Sequence, residues 1–371
     1  MDTPSRRPRR SSLSARAQAS SPTADSEISP SPTHLFRVGE GGGEVARPRR
    51  ARYFACLLMP SPCSLPRGEN TRARVRSVTA PESSRGATMF GIRSSGRAEG
   101  YTLREAMTAP ITLIDSHCHL DEARFGADRE QVIARALAAG VTRMVTIGAS
   151  GGMQANYDAI ALAARHAGIF ATVGIHPHEA STISPVVIED LARLARAPKV
   201  VAIGETGLDY YYDNSPRPVQ CAAFRQFIQL ARTLQLPVVV HLRDAYEDAV
   251  RILHEENAPE IGGVIHCFSG DRAQAKSFLD LGFDISFSGV VTFKNADELR
   301  AVARMVPADR FLVETDAPFL APLPYRGKRN EPAYVVHTAA AVAEVRGQTL
   351  EEIAAVTRSN TERRFRLGSE T

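Results

Sequence analysis

Six short apolar runs of this sequence end on histidine or carboxylate residues, the side chains that hold divalent metal ions in proteins. The runs and the residues that follow them are ITLID before Ser116-His117-Cys118-His119, ATVGI before His176-Pro177-His178, VVAIG before Glu205, PVVV before His241, GGVI before His266, and FLVET before Asp316. Hydrophobic strands that each present such a residue at the carboxyl end predict a metal centre at the mouth of a barrel.

His117 and His119 are separated by one residue at the end of the first run. In a strand, residues i and i+2 project from the same face, so both imidazoles can share one ion. Asp115, two residues earlier, extends that face. An isolated pair of this kind is as often two packed histidines as a ligand pair, but its place at a strand end favours the metal site.

Two carboxylates follow apolar runs directly. Glu205 lies either at the barrel mouth or unpaired in the interior, where burial of its charge would be costly. We predict that it bridges two ions, with Asp209 hydrogen-bonded to the ligands. Asp316 is predicted to bind metal and to take a proton from the attacking water, with an ordinary helix cap as the alternative.

Four further histidines complete the strand-end pattern. Taken alone, His241 and His266 are each more often packed residues than ligands, but their common position with the other strand-end residues predicts ligands. His176 and His178 flank Pro177, which disfavours a regular strand there. We predict that these two contact the substrate or orient the ligands.

Three cations occupy four positions of the loop after the last predicted strand: Arg326, Lys328 and Arg329. Such a run is commonly a solvated loop. At the catalytic face of a barrel it favours a phosphate clamp instead. Arg243, two residues past His241, is close enough in sequence to the ligands to join this clamp.

Apolar runs alternate with Ala-rich segments of helical periodicity from Met107 onward. The predicted strands cover residues 111–115, 143–147, 169–175, 199–204, 237–241, 262–266, 283–287 and 310–315. Eight strand–helix units predict a (β/α)₈ TIM barrel, which typically takes about 250 residues. A doubly wound open sheet is the alternative, disfavoured because no GxGxxG follows the first strand.

Residues 1–106 contain 18 arginines, no lysine and 9 acidic residues, a net charge of +9, whereas residues 107–371 contain 27 basic and 32 acidic residues, a net charge of −5. The basic character therefore belongs to the first segment, which is rich in Arg, Ser, Pro and Gly and predicted to be disordered. A nucleic-acid-binding tail and a transit peptide are possible interpretations. We favour a mis-assigned start, with Met107 opening the folded domain 107–371.

The five cysteines include no CxxC pair, which indicates free thiols in a reducing compartment and disfavours a thiolate zinc site. Cys118 and Cys267 neighbour candidate ligands but are predicted to pack rather than to act as nucleophiles. No apolar run approaches the roughly 18 residues of a membrane span. We therefore expect a cytoplasmic protein with no membrane partner, and a monomer, although the sequence does not decide its oligomeric state.

At this point the motifs form a recognisable set. The segments DSHCHLD, GIHPH, GETGLDYY, HLRDA, HCFSG, ETDAPFLAP and PYRGKRNEP resemble the TatD family of metal-dependent hydrolases, from about residue 111 to near the carboxyl end. The resemblance implies a barrel of the metallo-dependent hydrolase type with a two-metal site. Carried over by motif, its ligands would be His117, His119, Glu205, His241, His266 and Asp316. Glu205 stands where related amidohydrolases often have a carboxylated lysine.

The same resemblance implies the activity. The implied activity is that of a 3′–5′ deoxyribonuclease acting on single-stranded or frayed DNA ends. It would use two divalent ions per chain, with Glu205 as the bridging ligand and Asp316 as the proton acceptor. Mg²⁺ is favoured, while Mn²⁺ and Zn²⁺ are compatible with the same ligands. Two alternatives stay open: an ester hydrolase such as a D-aminoacyl-tRNA deacylase on the same site, and a non-catalytic binding protein with a closed structural metal.

Overall fold

The computed structural model describes residues 111–368. The predictions of disorder and of a mis-assigned start for residues 1–106 lie outside the described residues, as does Met107.

Eight parallel strands within the described residues form one sheet in the order β1 to β8. They are β1 (Leu113–Cys118), β2 (Val141–Ile147), β3 (Ile169–Val173), β4 (Val200–Asp209), β5 (Val238–Arg243), β6 (Gly263–Ile265), β7 (Phe283–Phe287) and β8 (Phe311–Val313). The end of β8 returns to β1, where the Asp316 N–H donates to the His117 carbonyl at 2.9 Å and Cys118 forms a parallel bridge with Ala317. The sheet therefore closes, and the predicted (β/α)₈ barrel is confirmed.

Helices cover the outside of the barrel. They are α1 (Arg129–Ala138), α2 (Gly152–Arg165), α3 (Pro185–Leu194), α4 (Arg217–Leu234), α5 (Tyr246–Glu255), α6 (Arg272–Asp280), α7 (Asp297–Met305), α8 (Val335–Arg346) and α9 (Leu350–Phe365). The first seven each join consecutive strands, and the last two follow β8. Within residues 111–368, no helix has the length and apolarity needed to cross a membrane.

Strand β4 runs five residues beyond its predicted end at residue 204, so Glu205 lies inside the strand rather than after it. Hydrogen bonding to β5 continues because Thr206 pairs with Val240 and Gly207 with His241. Gly207 has a φ of +139°, and a Cβ there would lie 2.1 Å from the His241 carbonyl oxygen. The absence of a side chain at Gly207 thus allows β4 and β5 to approach each other beyond the end of the apolar run.

The apolar interior has two layers. The larger cluster packs the outer faces of the strands against the helices, with Phe224, Phe227 and Phe278 fully buried. The smaller cluster combines residues of several strands with Phe365 and Leu367, which lie at and just after the end of α9. We infer that these two residues close the amino-terminal end of the barrel and leave the carboxyl end as the mouth.

A buried ion-pair network ties α9 to that amino-terminal end. Asp284, at the start of β7, is fully buried. Its carboxylate accepts from Arg310 Nε at 2.8 Å, Arg364 Nε at 2.7 Å and Arg363 Nη2 at 3.3 Å. Because Arg310 lies just before β8, one carboxylate joins β7, β8 and the last helix.

Replacing Asp284 is expected to destabilise the barrel. Asp284→Asn should lower the free energy of unfolding by about 3 kcal/mol, near the lower end for a buried ion pair that loses one partner, because the three arginines are partly exposed. Asp280→Asn, which breaks only an exposed pair with Lys276, should cost less than about 1 kcal/mol. Urea unfolding of both variants measures the difference, and equal midpoints would contradict the structural role of Asp284.

Candidate metal centre

The strand ends bring the six predicted ligands to one place at the barrel mouth. They are His117 and His119 from the end of β1, Glu205 from β4, His241 from β5, His266 after β6, and Asp316 after β8. Glu205, His117, His119 and His266 are each at most 5% exposed. The sequence thus delivers polar side chains into a buried site by ending apolar strands on them.

One oxygen of the Glu205 carboxylate faces the β1 histidines. Glu205 Oε2 lies 3.6 Å from His117 Nε2 and 3.8 Å from His119 Nε2. Asp316 Oδ1 approaches the same two nitrogens, at 3.6 and 3.4 Å. Two imidazoles and two carboxylates therefore converge on one point.

The other oxygen of Glu205 faces a different set of imidazoles. Glu205 Oε1 lies 2.7 Å from His266 Nε2, 3.0 Å from His241 Nδ1 and 3.6 Å from His176 Nε2. The two oxygens of one carboxylate thus belong to two separate groups of donors.

This donor set fits a divalent cation. Both ring nitrogens of His117 and Nδ1 of His119 are buried without a hydrogen-bond partner among the described residues, an arrangement that costs free energy unless something fills it. Donors that share one ion lie about 3 to 3.5 Å apart, close to the separations found here. Imidazole and carboxylate ligands are also those of Zn²⁺, Mn²⁺ and related ions.

The protonation of the cluster makes metal binding depend on pH. Burial alone would raise the pKa of Glu205, but the charge of His266 and the hydrogen bonds from His241 and His266 hold that pKa well below its usual range, so the carboxylate is anionic. Burial lowers the pKa of His119, yet hydrogen bonding to Asp316 and the charge of Glu205 outweigh it and raise the pKa to about 9. A bound cation would have to displace that proton, which couples metal binding to pH.

His176 lies in the cluster but differs from the other imidazoles, because it directs an N–H group, not a lone pair, towards Glu205. Its Nδ1 accepts the backbone N–H of His178 at 3.2 Å, at the start of the short 3₁₀ helix Pro177–Thr182. Burial lowers the pKa of His176 well below its usual value, so the ring is neutral. We therefore assign its proton to Nε2, which points towards Glu205 and offers an N–H rather than a lone pair.

Asp209 holds two of these histidines. Its Oδ2 accepts from His178 Nε2 at 2.8 Å and from His241 Nε2 at 3.2 Å. Burial would raise the pKa of Asp209, but the hydrogen bonds from both rings hold the pKa well below its usual range. His241 therefore turns its other nitrogen, Nδ1, towards Glu205. This is the supporting position that the sequence suggested for Asp209.

Glu314 is a member of the site that the sequence reasoning missed. It is fully buried, and its Oε1 lies 3.3 Å from His266 Nδ1 and accepts the Cys267 N–H at 2.8 Å. Burial raises the pKa of Glu314, opposed by the hydrogen bond with His266. The signal was available, because Glu314 and Asp316 repeat the i, i+2 spacing of His117 and His119.

Asp115 departs from its expected place on the ligand face. Its carboxylate instead accepts the Thr315 N–H at 2.9 Å and the Thr315 hydroxyl at 2.5 Å, and burial raises its pKa to about 8. The strand is irregular between Asp115 and Cys118, so simple alternation fails there. Asp115 joins β1 to the end of β8.

The predicted phosphate-binding cations lie against aromatic rings or a carboxylate. Arg243 extends β5 two residues past His241, and its guanidinium lies 4.8 Å from the Tyr211 ring centroid. Arg326 stacks over Phe293 at 4.2 Å, and Lys328 lies 5.9 Å from the Tyr325 ring. Arg329 forms two hydrogen bonds with Asp128, at 2.8 and 2.6 Å, so its charge is already compensated.

Neither cysteine beside the histidines has the properties of a nucleophile. Burial raises the pKa of both Cys118 and Cys267 well above the usual value. The Cys118 thiol donates to the Val145 carbonyl at 3.5 Å, and Cys267 Sγ lies 3.1 Å from the Ser288 hydroxyl. Both thiols are therefore protonated, since only a thiolate is an effective nucleophile.

A closed barrel with imidazole and carboxylate donors at its carboxyl mouth defines the class of the protein, which is that of the metal-dependent hydrolases. The family described as TatD related DNase matches residues 114–366. The chain belongs to the TatD family.

Individual relatives agree with this assignment. The chain is 43% identical over 255 residues to the uncharacterized metal-dependent hydrolase YabD of Bacillus subtilis, covering 69% of this chain and 99% of the relative. It is 38% identical over 258 residues to a protein of Klebsiella pneumoniae named 3′-5′ ssDNA/RNA exonuclease TatD, covering 68% and 97%. The crystal structure of the TatD homolog YJJV from Escherichia coli superimposes with a TM-score of 0.66 at 31% identity, covering 70% and 100%.

Glu314 is expected to support metal binding through His266. Glu314→Gln keeps the shape of the side chain but removes the charge that orients the imidazole, and should weaken metal affinity about 10-fold or more. Calorimetric titration of the metal-free protein with Mn²⁺ measures this. The matched variant Glu298→Gln, on the exposed face of α7, should bind as the parent does. An unchanged affinity in Glu314→Gln would contradict the role.

Proposed function

We propose that this protein is a 3′–5′ exodeoxyribonuclease that hydrolyses phosphodiester bonds at single-stranded or frayed DNA ends with two divalent ions. The observation that carries the proposal is the placement of the Glu205 carboxylate. Its two oxygens face two separate sets of imidazoles, at 2.7 to 3.8 Å. A carboxylate in that position suits a bridge between two ions. The relative named as a 3′-5′ ssDNA/RNA exonuclease supports the choice of substrate.

The ligands divide between the two oxygens. His117 and His119, with Asp316, would hold one ion, and His241 and His266 the other, with Glu205 shared. When bound, the ions polarise the phosphoryl group, activate water and stabilise the leaving oxygen. We favour Mg²⁺ for nuclease activity; Mn²⁺ and Zn²⁺ suit the same donors. The cytoplasmic location and the monomeric state stay predictions.

Asp316 is the residue best placed to accept the proton of the attacking water. Its side chain is 13% exposed, against 3% for Glu205, so water reaches it at the mouth. Its Oδ1 lies within 3.6 Å of both β1 histidines, so the carboxylate would stand beside a water activated at that centre.

Neighbouring residues of the mouth would bind the substrate. The neutral His176 offers its Nε2 proton to a phosphoryl oxygen without adding a ligand. His178 would stay hydrogen-bonded to Asp209, whose Oδ2 lies 2.8 Å from His178 Nε2. Arg243, Arg326 and Lys328 would neutralise phosphates along the strand, whereas Arg329 would first have to exchange its pairing with Asp128.

The nuclease activity is expected to depend on metal and on Asp316. EDTA should abolish nucleotide release from a single-stranded oligonucleotide, and added Mg²⁺ should restore it. Asp316→Asn should lower kcat about 100-fold or more, because a positioned proton acceptor contributes that much, and Asp297→Asn on α7 serves as the matched control. Full activity in Asp316→Asn would contradict the proposed role. Hydrolysis of an acyl ester by a protein inert on DNA would instead support the alternative of an ester hydrolase.

Charge reversal in the loop after β8 should distinguish a polynucleotide substrate from a small one. Arg326→Glu with Lys328→Glu should weaken oligonucleotide cleavage and reduce the slope of log kcat/KM against log salt by about 1 for each phosphate that the loop no longer binds. Arg193→Glu with Arg196→Glu, at the opposite end of the barrel, changes the net charge equally and should leave the slope unchanged. Equal slopes in all three proteins would show that the loop does not bind phosphates.

A further inference from the structure

Two exposed tyrosines stand beside the metal centre. Tyr211 and Tyr212 lie two and three residues after the end of β4 and are 45% and 52% exposed. Their rings meet edge to face, with centroids 4.9 Å apart and an interplanar angle of 87°. Large aromatic side chains usually bury most of their surface, so an adjacent exposed pair at a catalytic mouth calls for a function.

Ring contacts connect the pair to the metal centre. Tyr212 packs edge-on against His178 at 5.4 Å, and His178 in turn lies 4.3 Å from His176 and 6.2 Å from His241. Only the outermost ring of this series is open to solvent, since the side chains of His176 and His178 are 11% and 9% exposed whereas Tyr212 is half exposed. A continuous aromatic edge thus leads from the Glu205 cluster to solvent.

The backbone beneath the two rings is held firmly. Asp209 Oδ1 accepts the N–H of Tyr211 at 3.0 Å and of Tyr212 at 2.8 Å, while its Oδ2 holds the histidines. The preceding Tyr210 donates its hydroxyl to Asp248 at 2.7 Å. Exposed rings on a fixed backbone lose little entropy when a ligand binds, which favours a binding surface over a mobile loop.

A cation lies against the same pair. The Arg243 guanidinium is 4.8 Å from the Tyr211 centroid and projects from the end of β5 beside His241. Aromatic rings next to a cation are the combination that binds single-stranded nucleic acid, because bases stack on the rings and the backbone phosphate meets the charge.

We propose that Tyr212, supported by Tyr211, stacks on one unpaired base of the strand whose phosphate is cleaved at the Glu205 cluster, and that Arg243 contacts an adjacent phosphate. This inference rests on the proposed nuclease function and adds the feature that selects single strands. A paired base in the interior of a duplex is already stacked on both faces, and a terminal paired base is held by its partner strand, so neither can turn onto the ring. Stacking also tolerates every base, so the selection acts on strandedness and not on sequence.

The test compares intact and abasic oligonucleotides. Tyr212→Ala should raise KM for single-stranded DNA about 10-fold, the value of one stacked base, with kcat and Mn²⁺ affinity changed less than about 2-fold. Tyr212→Phe keeps the ring and should behave as the parent protein. Tyr157→Ala, which removes a tyrosine 41% exposed on α2, is the matched control and should change nothing.

Abasic substrates identify the stacked nucleotide. An abasic site placed in turn at each of the three terminal nucleotides should raise KM of the parent protein at one position and add nothing further in Tyr212→Ala. Equal KM values for the parent and Tyr212→Ala would overturn the stacking proposal while leaving the nuclease intact. A fall in kcat on intact and abasic DNA alike would also overturn it, because Tyr212 would then act through His178. Failure of the parent protein to cleave any oligonucleotide would refute the nuclease function itself.

Discussion

The buried carboxylate of Glu205 is the constraint on which the rest of the barrel mouth depends. An anion at this depth is costly unless cations or strong donors surround it, and here five imidazoles lie within 2.7 to 3.8 Å of its two oxygens. Each of those imidazoles comes from a strand end or the loop just after it. The closure of the barrel, the irregularity of β1 and the close approach of β4 to β5 at Gly207 all serve to bring them there.

Imidazoles around a carboxylate must also be oriented, and two outer carboxylates do this. Asp209 holds His241 by one ring nitrogen, and Glu314 holds His266 in the same way, so both rings turn the opposite nitrogen to Glu205. Asp209 additionally fixes the backbone of the exposed tyrosines. A single residue thus links the chemistry of the centre to the surface that we propose to bind the strand.

The two ends of the barrel are stabilised by different means. At the amino-terminal end, Asp284 is paired with three arginines and Phe365 fills the interior, so charge and apolar surface are satisfied within the chain. At the mouth, both ring nitrogens of His117 and Nδ1 of His119 have no hydrogen-bond partner among the described residues. The mouth therefore retains imidazole nitrogens whose lone pairs can bind a cation. In barrels of this class the amino-terminal end usually serves stability and the carboxyl end activity.

The sequence alone predicted that the six candidate ligands meet at the mouth. Parallel strands end at the same edge of the sheet, so the residues that follow their apolar runs lie at that edge too. The sequence also determined the barrel. Only the tertiary structure decided the finer roles: that Glu314 supports His266, that Asp115 binds Thr315 instead of facing the site, that His176 presents a proton, and that Arg329 is paired with Asp128. These depend on distances between side chains of different strands, and strand pairing and register set such distances. The hydrophobic pattern of a single strand does not predict these distances.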